Sequence, residues 1–276
     1  MDFKLPKREQ NSNKGTFGKV LNLSGSEYMP GAAYLSSVAT LRSGAGYVEL
    51  VSCERTLTTI STLAPEIVLV PYSKLLELIK EATVLLVGCG LSTTDEAKQN
   101  FSSIINHRNN LPTVIDDDGL NILSTLNIKL DKNVILTPHP KEASRLLGCS
   151  LDDILIDTKT SAKKISEKYN CIAVLKTYKT IVTDGEIIYK NTTGCSALAK
   201  AGSGDVLAGI IAGLLAQKVS PFEAASLGVY LHGLTGELAA KDLSEYGVLA
   251  TDLLRYIPVA IKLNKDIQTM WSFIRS

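Results

Sequence analysis

A Gly-Ser-Gly-Asp segment is the part of the sequence best suited to chemistry. Gly202, Ser203, Gly204 and Asp205 open a strongly apolar stretch of helical composition, after a loop rich in small residues. The first amides of such a helix lack partners within it and carry the positive end of its dipole, so they form a cradle for an anion such as phosphate. Asp205 falls in the first turn, where a carboxylate either stabilises the helix or acts as a general base on a substrate hydroxyl. The spacing matches neither a Walker A loop nor the glycine pattern of a dinucleotide fold.

Other glycines and rigid polar residues follow predicted strands. Gly90 lies just after a buried apolar run, and His139 stands between two prolines after another. The polar residues 176–180 join two further strands, and Ala33 belongs to a group of small residues at a helix start. Each of these segments also fits an ordinary turn or helix end. Because ligands of open α/β sheets bind outside the carboxyl ends of the strands, their convergence at one edge of a sheet favours a site there.

The elements that would position these residues alternate between strand-like and helix-like segments. Short apolar runs bounded by turns predict strands buried on both faces of a parallel sheet, at residues 20–23, 47–52, 67–70, 83–87, 113–115, 134–136 and 172–176. Helical composition occurs at residues 31–42, 94–107, 141–147, 151–169, 204–217, 221–241 and 251–262. This alternation predicts repeated βαβ units and an α/β fold. Near residue 185 we expect a hairpin, because Asp184-Gly185 suits a two-residue type I′ turn.

The length, net charge and composition of the chain limit the possible functions. Its 276 residues, without a linker or repeat, predict one domain over 1–276 with a polar N-terminal extension at 1–13. The net charge of +1 gives no reason to expect a nucleic-acid or membrane partner. The longest apolar run, residues 206–216, is shorter than the roughly 20 residues of a membrane span, so its Gly209 and Gly213 indicate close packing of a buried helix. Five scattered cysteines indicate free thiols in a reducing cytoplasm.

Six blocks of the sequence resemble, in the same order, those of the ADP-dependent NAD(P)H-hydrate dehydratases, a family of the ribokinase-like superfamily. The resemblance extends from about residue 14 to residue 258. The blocks are K-G-T-F-G-K-V-L, G-S-E-Y-M-P-G-A-A, L-R-S-G-A-G, T-P-H-P-K-E, N-T-T-G-C-S-A-L-A-K-A-G-S-G-D-V-L-A-G and Y-L-H-G-L-T-G. The resemblance implies a ribokinase-like, three-layer α/β/α fold with a central, mostly parallel sheet. It also implies dehydration of (6S)-NADHX and (6S)-NADPHX to NADH and NADPH, coupled to hydrolysis of ADP to AMP and phosphate.

The same resemblance implies a role for individual residues. Asp205 matches the catalytic aspartate, and the amides of Gly202, Ser203 and Gly204 would hold the transferred phosphoryl group. The hydrate would bind at Ala33, Gly90, His139 and Asp205. ADP or AMP would bind at Lys176, Thr177, Tyr178, Lys179, Thr180 and Gly204. Magnesium would bridge the phosphates without protein ligands of its own.

Departures from the family pattern are concentrated near the expected site. Cys89 stands where proline is usual, Thr177 where glycine is usual, and Cys195 where asparagine is common, while residues 116–119 match the family only loosely. The resemblance further implies a homotetramer in the cytoplasm, with an NAD(P)H-hydrate epimerase as a separate chain. Two other functions stay open at this point. One is a ribokinase-like kinase for a hydroxymethylpyrimidine or thiazole alcohol, and the other is a nucleotide-binding regulator without turnover.

Overall fold

The computed structural model describes the backbone of residues 5–275 and the side chains of residues 5–264. Residues 1–4 of the predicted polar extension lie outside the described part. The strands are β1 Lys19–Leu23, β2 Tyr47–Ser52, β3 Val68–Pro71, β4 Val84–Val87, β5 Thr113–Ile115, β6 Val134–Leu136, β7 Ile172–Leu175, β8 Ile181–Thr183 and β9 Ile188–Lys190. The helices are α1 Pro30–Arg42, α2 Glu54–Leu63, α3 Leu75–Ile79, α4 Asp95–His107, α5 Asp118–Leu123, α6 Pro140–Leu147, α7 Leu151–Ile156, α8 Thr158–Tyr169, α9 Ser203–Ala216, α10 Pro221–Gly247 and α11 Ala250–Arg275.

The strands form one sheet in the order β3-β2-β1-β4-β5-β6-β7-β8-β9. All pairings are parallel as far as β7, and β8 and β9 are added antiparallel. Two apolar clusters of buried residues contain the sheet's side chains, one centred on α9 and its neighbours and the other on residues of α3 to α8. The expected α/β fold with a mostly parallel central sheet between helices is therefore confirmed.

The helix α9 lies close to α1 because of its two interior glycines. A Cβ atom at Gly209 would lie 2.3 Å from the carbonyl oxygen of Ser36, and one at Gly213 would lie 2.6 Å from that of Thr40. No side chain could be accommodated at either distance. These glycines therefore allow close packing within the protein, as expected. Among the described residues, no helix has the length and apolar character needed to cross a membrane.

Two local predictions were wrong. The segment 151–169 is not one helix, because Asp157 has an extended backbone (φ −142°, ψ 89°) and its carboxylate caps α8 by accepting from the amide of Thr160. The β8–β9 hairpin exists, but its turn has four residues rather than two. Asp184 accepts hydrogen bonds from the amides of Glu186 and Ile187, and this side-chain turn replaces the tight type I′ turn.

Candidate active site

The site lies where the chain changes direction across the sheet. After β1 the chain adds β2 and β3 on one side, and from β4 onward it adds strands on the other side. Ligands of open α/β sheets bind outside the carboxyl ends of the strands at such a switch point. The segments that follow β4, β5, β6 and β7 meet there, and α9 begins beside them.

The first turn of α9 offers two free amides. Gly202 adopts φ +89° before the helix, and a Cβ there would lie 2.6 Å from Leu35, so only glycine fits. The Ser203 amide donates to the carbonyl of Lys200 at 3.2 Å. Within the described residues, no acceptor is found for the amides of Gly204 and Asp205. Of the three amides expected from the sequence, that of Ser203 thus already has a partner, whereas those of Gly202 and Gly204 have no acceptor among the described residues. The Asp205 amide is a further donor for an anion.

Asp205 belongs to a largely buried group of ionisable side chains. One carboxylate oxygen of Asp205, one of Asp116 and the Cys89 sulfur all lie within 4.8 Å of one another. Burial, followed by the charges of Asp116 and Asp117, raises the pKa of Asp205 to about 7. A carboxyl group with a pKa near neutrality can take a proton from a substrate at the pH at which cells work.

Lys176 supplies the positive charge of the site. Its Nζ atom lies 2.6 Å from Asp116, whose side chain is 2% exposed and also accepts from the Thr137 hydroxyl at 2.8 Å. Burial opposes the charge of Lys176, but Asp116 and Glu142 outweigh burial and raise the pKa of Lys176. The ammonium group also lies 3.3 Å from the point that a Cβ of Gly204 would occupy. A cation is therefore held beside the free amides at the start of α9.

His139 serves as the N-cap of α6. Its Nδ1 accepts from the amides of Lys141 (3.1 Å) and Glu142 (3.2 Å), and its Nε2 lies 3.3 Å from Glu142 Oε1. Burial, with help from Lys176, lowers the pKa of His139. Nδ1 is thus engaged within the cap, whereas Nε2 lies near Glu142 Oε1 without forming a hydrogen bond. A ligand at this position could contact the face of the ring or compete with Glu142 for Nε2.

A cavity of 740 Å³ opens beside the start of α9. Of the residues expected to bind the nucleotide, five border it: Lys176, Thr177, Tyr178, Thr180 and Gly204. Lys179 does not border the cavity. Its ammonium lies 4.9 Å from the centre of the Tyr178 ring. His139, Ser203 and Cys195 also border the cavity.

Three residues expected to bind the hydrate, Ala33, Gly90 and Asp205, are not among those that border the cavity. Ala33 is fully buried, so neither its side chain nor its backbone is exposed to a ligand. Gly90 adopts φ +60°, and its amide donates to Asp117 at 2.9 Å. Gly90 directly follows Cys89 in the chain, and a Cβ atom at Gly90 would lie 2.6 Å from that of Ala32.

The structure adds residues that had not been placed in the site: Asp116, Asp117, Cys89, Glu142 and His232. The acidic residues 116–118 directly follow β5, and this position at the carboxyl end of a strand could have indicated that they belong to the site. Asp117 has φ +46° and ψ −117°, an unusual conformation for a residue with a side chain, at the point where α5 begins. Glu142 belongs to the T-P-H-P-K-E block, of which only His139 was predicted to bind a ligand. Burial raises the pKa of Glu142 to about 7.

Comparisons with known proteins agree with this geometry. A family model described as NAD(P)H-hydrate dehydratase matches residues 20–259. The ADP-dependent (S)-NAD(P)H-hydrate dehydratase of Neisseria meningitidis is 40% identical over 254 residues, covering 90% of this chain and 84% of the relative. The bifunctional NAD(P)H-hydrate repair enzyme Nnr of Coxiella burnetii is 36% identical over 93% of this chain. The chain spans only 53% of that relative's length.

Solved structures show the same fold. The ADP/ATP-dependent NAD(P)H-hydrate dehydratase of Bacillus subtilis, co-crystallised with ATP and Mg²⁺, superposes with a TM-score of 0.87 at 31% identity, covering 95% of each chain. A hydroxyethylthiazole kinase of Pyrococcus horikoshii shares the fold, with a TM-score of 0.63 at 15% identity. The family match over most of the sequence and the close structural relatives lead to one conclusion. This chain belongs to the NAD(P)H-hydrate dehydratase family.

Proposed function

We propose that this chain dehydrates (6S)-NADHX and (6S)-NADPHX to NADH and NADPH while it converts ADP to AMP and phosphate. The observation that carries the proposal is Asp205, whose carboxyl group has a pKa of about 7 and stands at the start of α9 beside two free amides. The names of the relatives supply the substrates. The chain's own residues supply a base, an anion cradle and a buried cation in one place.

The proposed reaction has two steps in which every bond is accounted for. Asp205 removes the proton from the hydroxyl of the hydrate, and the oxygen attacks the terminal phosphorus of ADP, so that AMP leaves. The new carbon–oxygen–phosphorus bridge then breaks at the carbon, the neighbouring carbon loses a proton, and phosphate departs. Phosphorylation converts hydroxide, a poor leaving group, into phosphate, a good one. The amides of Gly204 and Asp205 would stabilise the charge of the transferred group.

The proposed binding regions lie on two sides of Asp205. The nucleotide would occupy the cavity, with residues 176–180 and Gly204 along its wall. The hydrate would approach from the switch point, near Ala33, Gly90 and the ring of His139; since Ala33 has no exposed surface, contact with it requires a local movement. Because Asp117 holds the Gly90 amide, a hydrate that needs this amide must displace the carboxylate.

Magnesium fits this site as an ion held by the phosphates. Among the side chains that the structure describes, one grouping could ligate a metal, and it includes a thiol, which Mg²⁺ disfavours. Its Asp116 oxygen is already bonded to Lys176 and Thr137. The ion would neutralise phosphate charge, and the protein would orient the phosphates through its amides. We further propose that the enzyme is a homotetramer in the cytoplasm and works beside a separate epimerase.

Replacement of Asp205 by asparagine tests the proposal. Asp205→Asn keeps the size of the side chain and should retain ADP binding while turnover falls by three orders of magnitude or more, about the effect of removing a general base together with its positioned charge. Turnover is measured as AMP and phosphate released with the hydrate present. A variant at wild-type rate would contradict the assignment. Accumulation of a stable phosphorylated alcohol would favour the kinase instead.

A further inference from the structure

A buried histidine of α10 contacts the first residue of α9. The Nε2 atom of His232 lies 3.1 Å from the hydroxyl oxygen of Ser203. The two residues are 8% and 6% exposed, and both border the cavity next to Gly204. The transfer chemistry assigned to Asp205 does not explain why a polar pair is buried here. His232 lies in the Y-L-H-G-L-T-G block, to which no role has been given above.

Ser203 can contact a phosphate in only one way. Its amide already donates to the carbonyl of Lys200, so the hydroxyl is its remaining donor. A hydroxyl carries a single proton. If that proton went to His232, only oxygen lone pairs would face an anion, and they would repel it. The direction of the hydrogen bond between the two side chains therefore decides whether Ser203 helps to bind phosphate.

The protonation of His232 decides this direction. Burial lowers the pKa of His232 to about 4, so the ring is neutral at neutral pH and carries one N–H group. The neutral ring carries its proton on Nδ1 or on Nε2, so either the ring or the serine hydroxyl can be the donor in their 3.1 Å contact. With the proton on Nε2, the serine hydroxyl is an acceptor from Nε2–H, and its own proton is free.

We propose that His232 is a positioning residue that donates from Nε2 to Ser203 Oγ and so directs the Ser203 hydroxyl proton toward the nucleotide phosphate. This inference rests on the proposed function. The hydroxyl acts together with the amides of Gly204 and Asp205, so three donors face the anion. It takes the place of the Ser203 amide, which the Lys200 carbonyl holds. Hydrogen bonds to a charged phosphate are stronger than those between neutral groups, so a fixed hydroxyl has a measurable effect.

Calorimetric titration with ADP and with adenosine tests the inference. Ser203→Ala and His232→Leu should each weaken ADP binding roughly tenfold or more, the effect of one hydrogen bond to a charged group, and leave adenosine binding unchanged. The double variant should bind ADP no more weakly than Ser203→Ala, because both changes remove one interaction. His232→Gln, whose amide N–H can occupy the place of Nε2–H, should recover most of the affinity. Ser226→Ala, another buried position of α10, is the control and should bind both ligands normally.

The possible outcomes separate this inference from the proposed function. Wild-type protein that binds no ADP would overturn the proposed function, and the inference with it. Normal ADP binding by the wild type, with additive losses in the double variant or equal losses for adenosine, would overturn the inference alone. Should His232→Leu fail to fold, His232→Asn takes its place, since its shorter amide does not reach Ser203. Weak ADP binding by that variant supports the inference, and wild-type affinity refutes it.

Discussion

Replacing Lys176 by methionine should reveal how the site holds its buried charges. Methionine keeps the length and apolar character of the lysine stem but removes the ammonium that lies 2.6 Å from Asp116. The Asp116 side chain is 2% exposed, so it would be left as a buried charge with the Thr137 hydroxyl as its remaining neutral partner. Loss of one member of a buried ion pair costs about 3 kcal/mol or more of unfolding free energy. For a protein of this size, that cost lowers the melting temperature by about 5–8 °C.

Two further variants make the measurement decisive. Lys163→Met removes an exposed pair of 3.7 Å with Glu167, and it should change the unfolding free energy by less than about 1 kcal/mol. The double variant Asp116→Asn/Lys176→Met has no unpaired charge and should recover most of the lost stability. Unfolding is followed by calorimetry and by urea titration. Two results would contradict a stabilising role of the buried ion pair. One is a Lys176→Met variant as stable as Lys163→Met, and the other is a double variant no more stable than Lys176→Met.

The same substitution should move the pH dependence of turnover. The charge of Lys176 lowers the pKa of Asp205, in opposition to burial and the neighbouring acids. Without that charge, the pKa of Asp205 rises above about 7, and a base must be deprotonated to act. The rising limb of kcat/KM against pH should therefore shift to higher pH in Lys176→Met. A limb at the wild-type position would show that Asp205 does not control it.

Three more predictions follow from the same geometry. Because burial raises the folded-state pKa of Asp205 from 3.8 to about 7, stability should fall between pH 4 and pH 7 and level off above, and Asp205→Asn should escape that loss. Melting temperatures at pH 5 and pH 8 check this, and a variant less stable than wild type at pH 8 contradicts it. His139→Ala should cost about 1 kcal/mol of unfolding free energy through loss of the α6 cap and raise KM for the hydrate; an unchanged KM removes His139 from the site. Gly202→Ala should lower the free energy of unfolding by about 2 kcal/mol or more, since φ is +89° and the new Cβ would lie 2.6 Å from Leu35. A free energy of unfolding within about 0.5 kcal/mol of wild type, measured with denaturant, would show that the alanine is not strained.

The regular elements were the most predictable part of the fold. The predicted bounds of β2, β5 and β6 match the structure, because each is a short apolar run with turn residues on both sides. The divide between α7 and α8 could not be seen, since Asp157 interrupts an amphipathic pattern without changing its period. The prediction of a two-residue type I′ turn at Asp184-Gly185 was wrong because the Asp184 carboxylate accepts hydrogen bonds from two backbone amides. The preference of Asp-Gly pairs for this turn type does not take such bonds into account.

The candidate site was predictable where one local segment contains the residues proposed to act. Asp205 and the glycines around it could be found because a helix start combines a carboxylate with free amides. The partners of Asp205 could not be found in this way. Cys89 and Asp116 come from neighbouring parallel strands, and only the sheet order brings their side chains within 4.8 Å of Asp205. The capping role of His139 was also hidden, because it depends on the ring nitrogen accepting from the amides of α6.

The activity proposed for this chain couples removal of water from a reduced-nicotinamide hydrate to conversion of ADP into AMP and phosphate. The direct test mixes purified protein with (6S)-NADHX, Mg²⁺ and ADP and follows absorbance at the reduced-nicotinamide band together with phosphate release. We predict that absorbance rises only when nucleotide is present, with one phosphate formed for each NADH restored, and that Asp205→Asn abolishes both signals. Absence of any rise with either ADP or ATP, from protein that binds nucleotide normally, would contradict the claim.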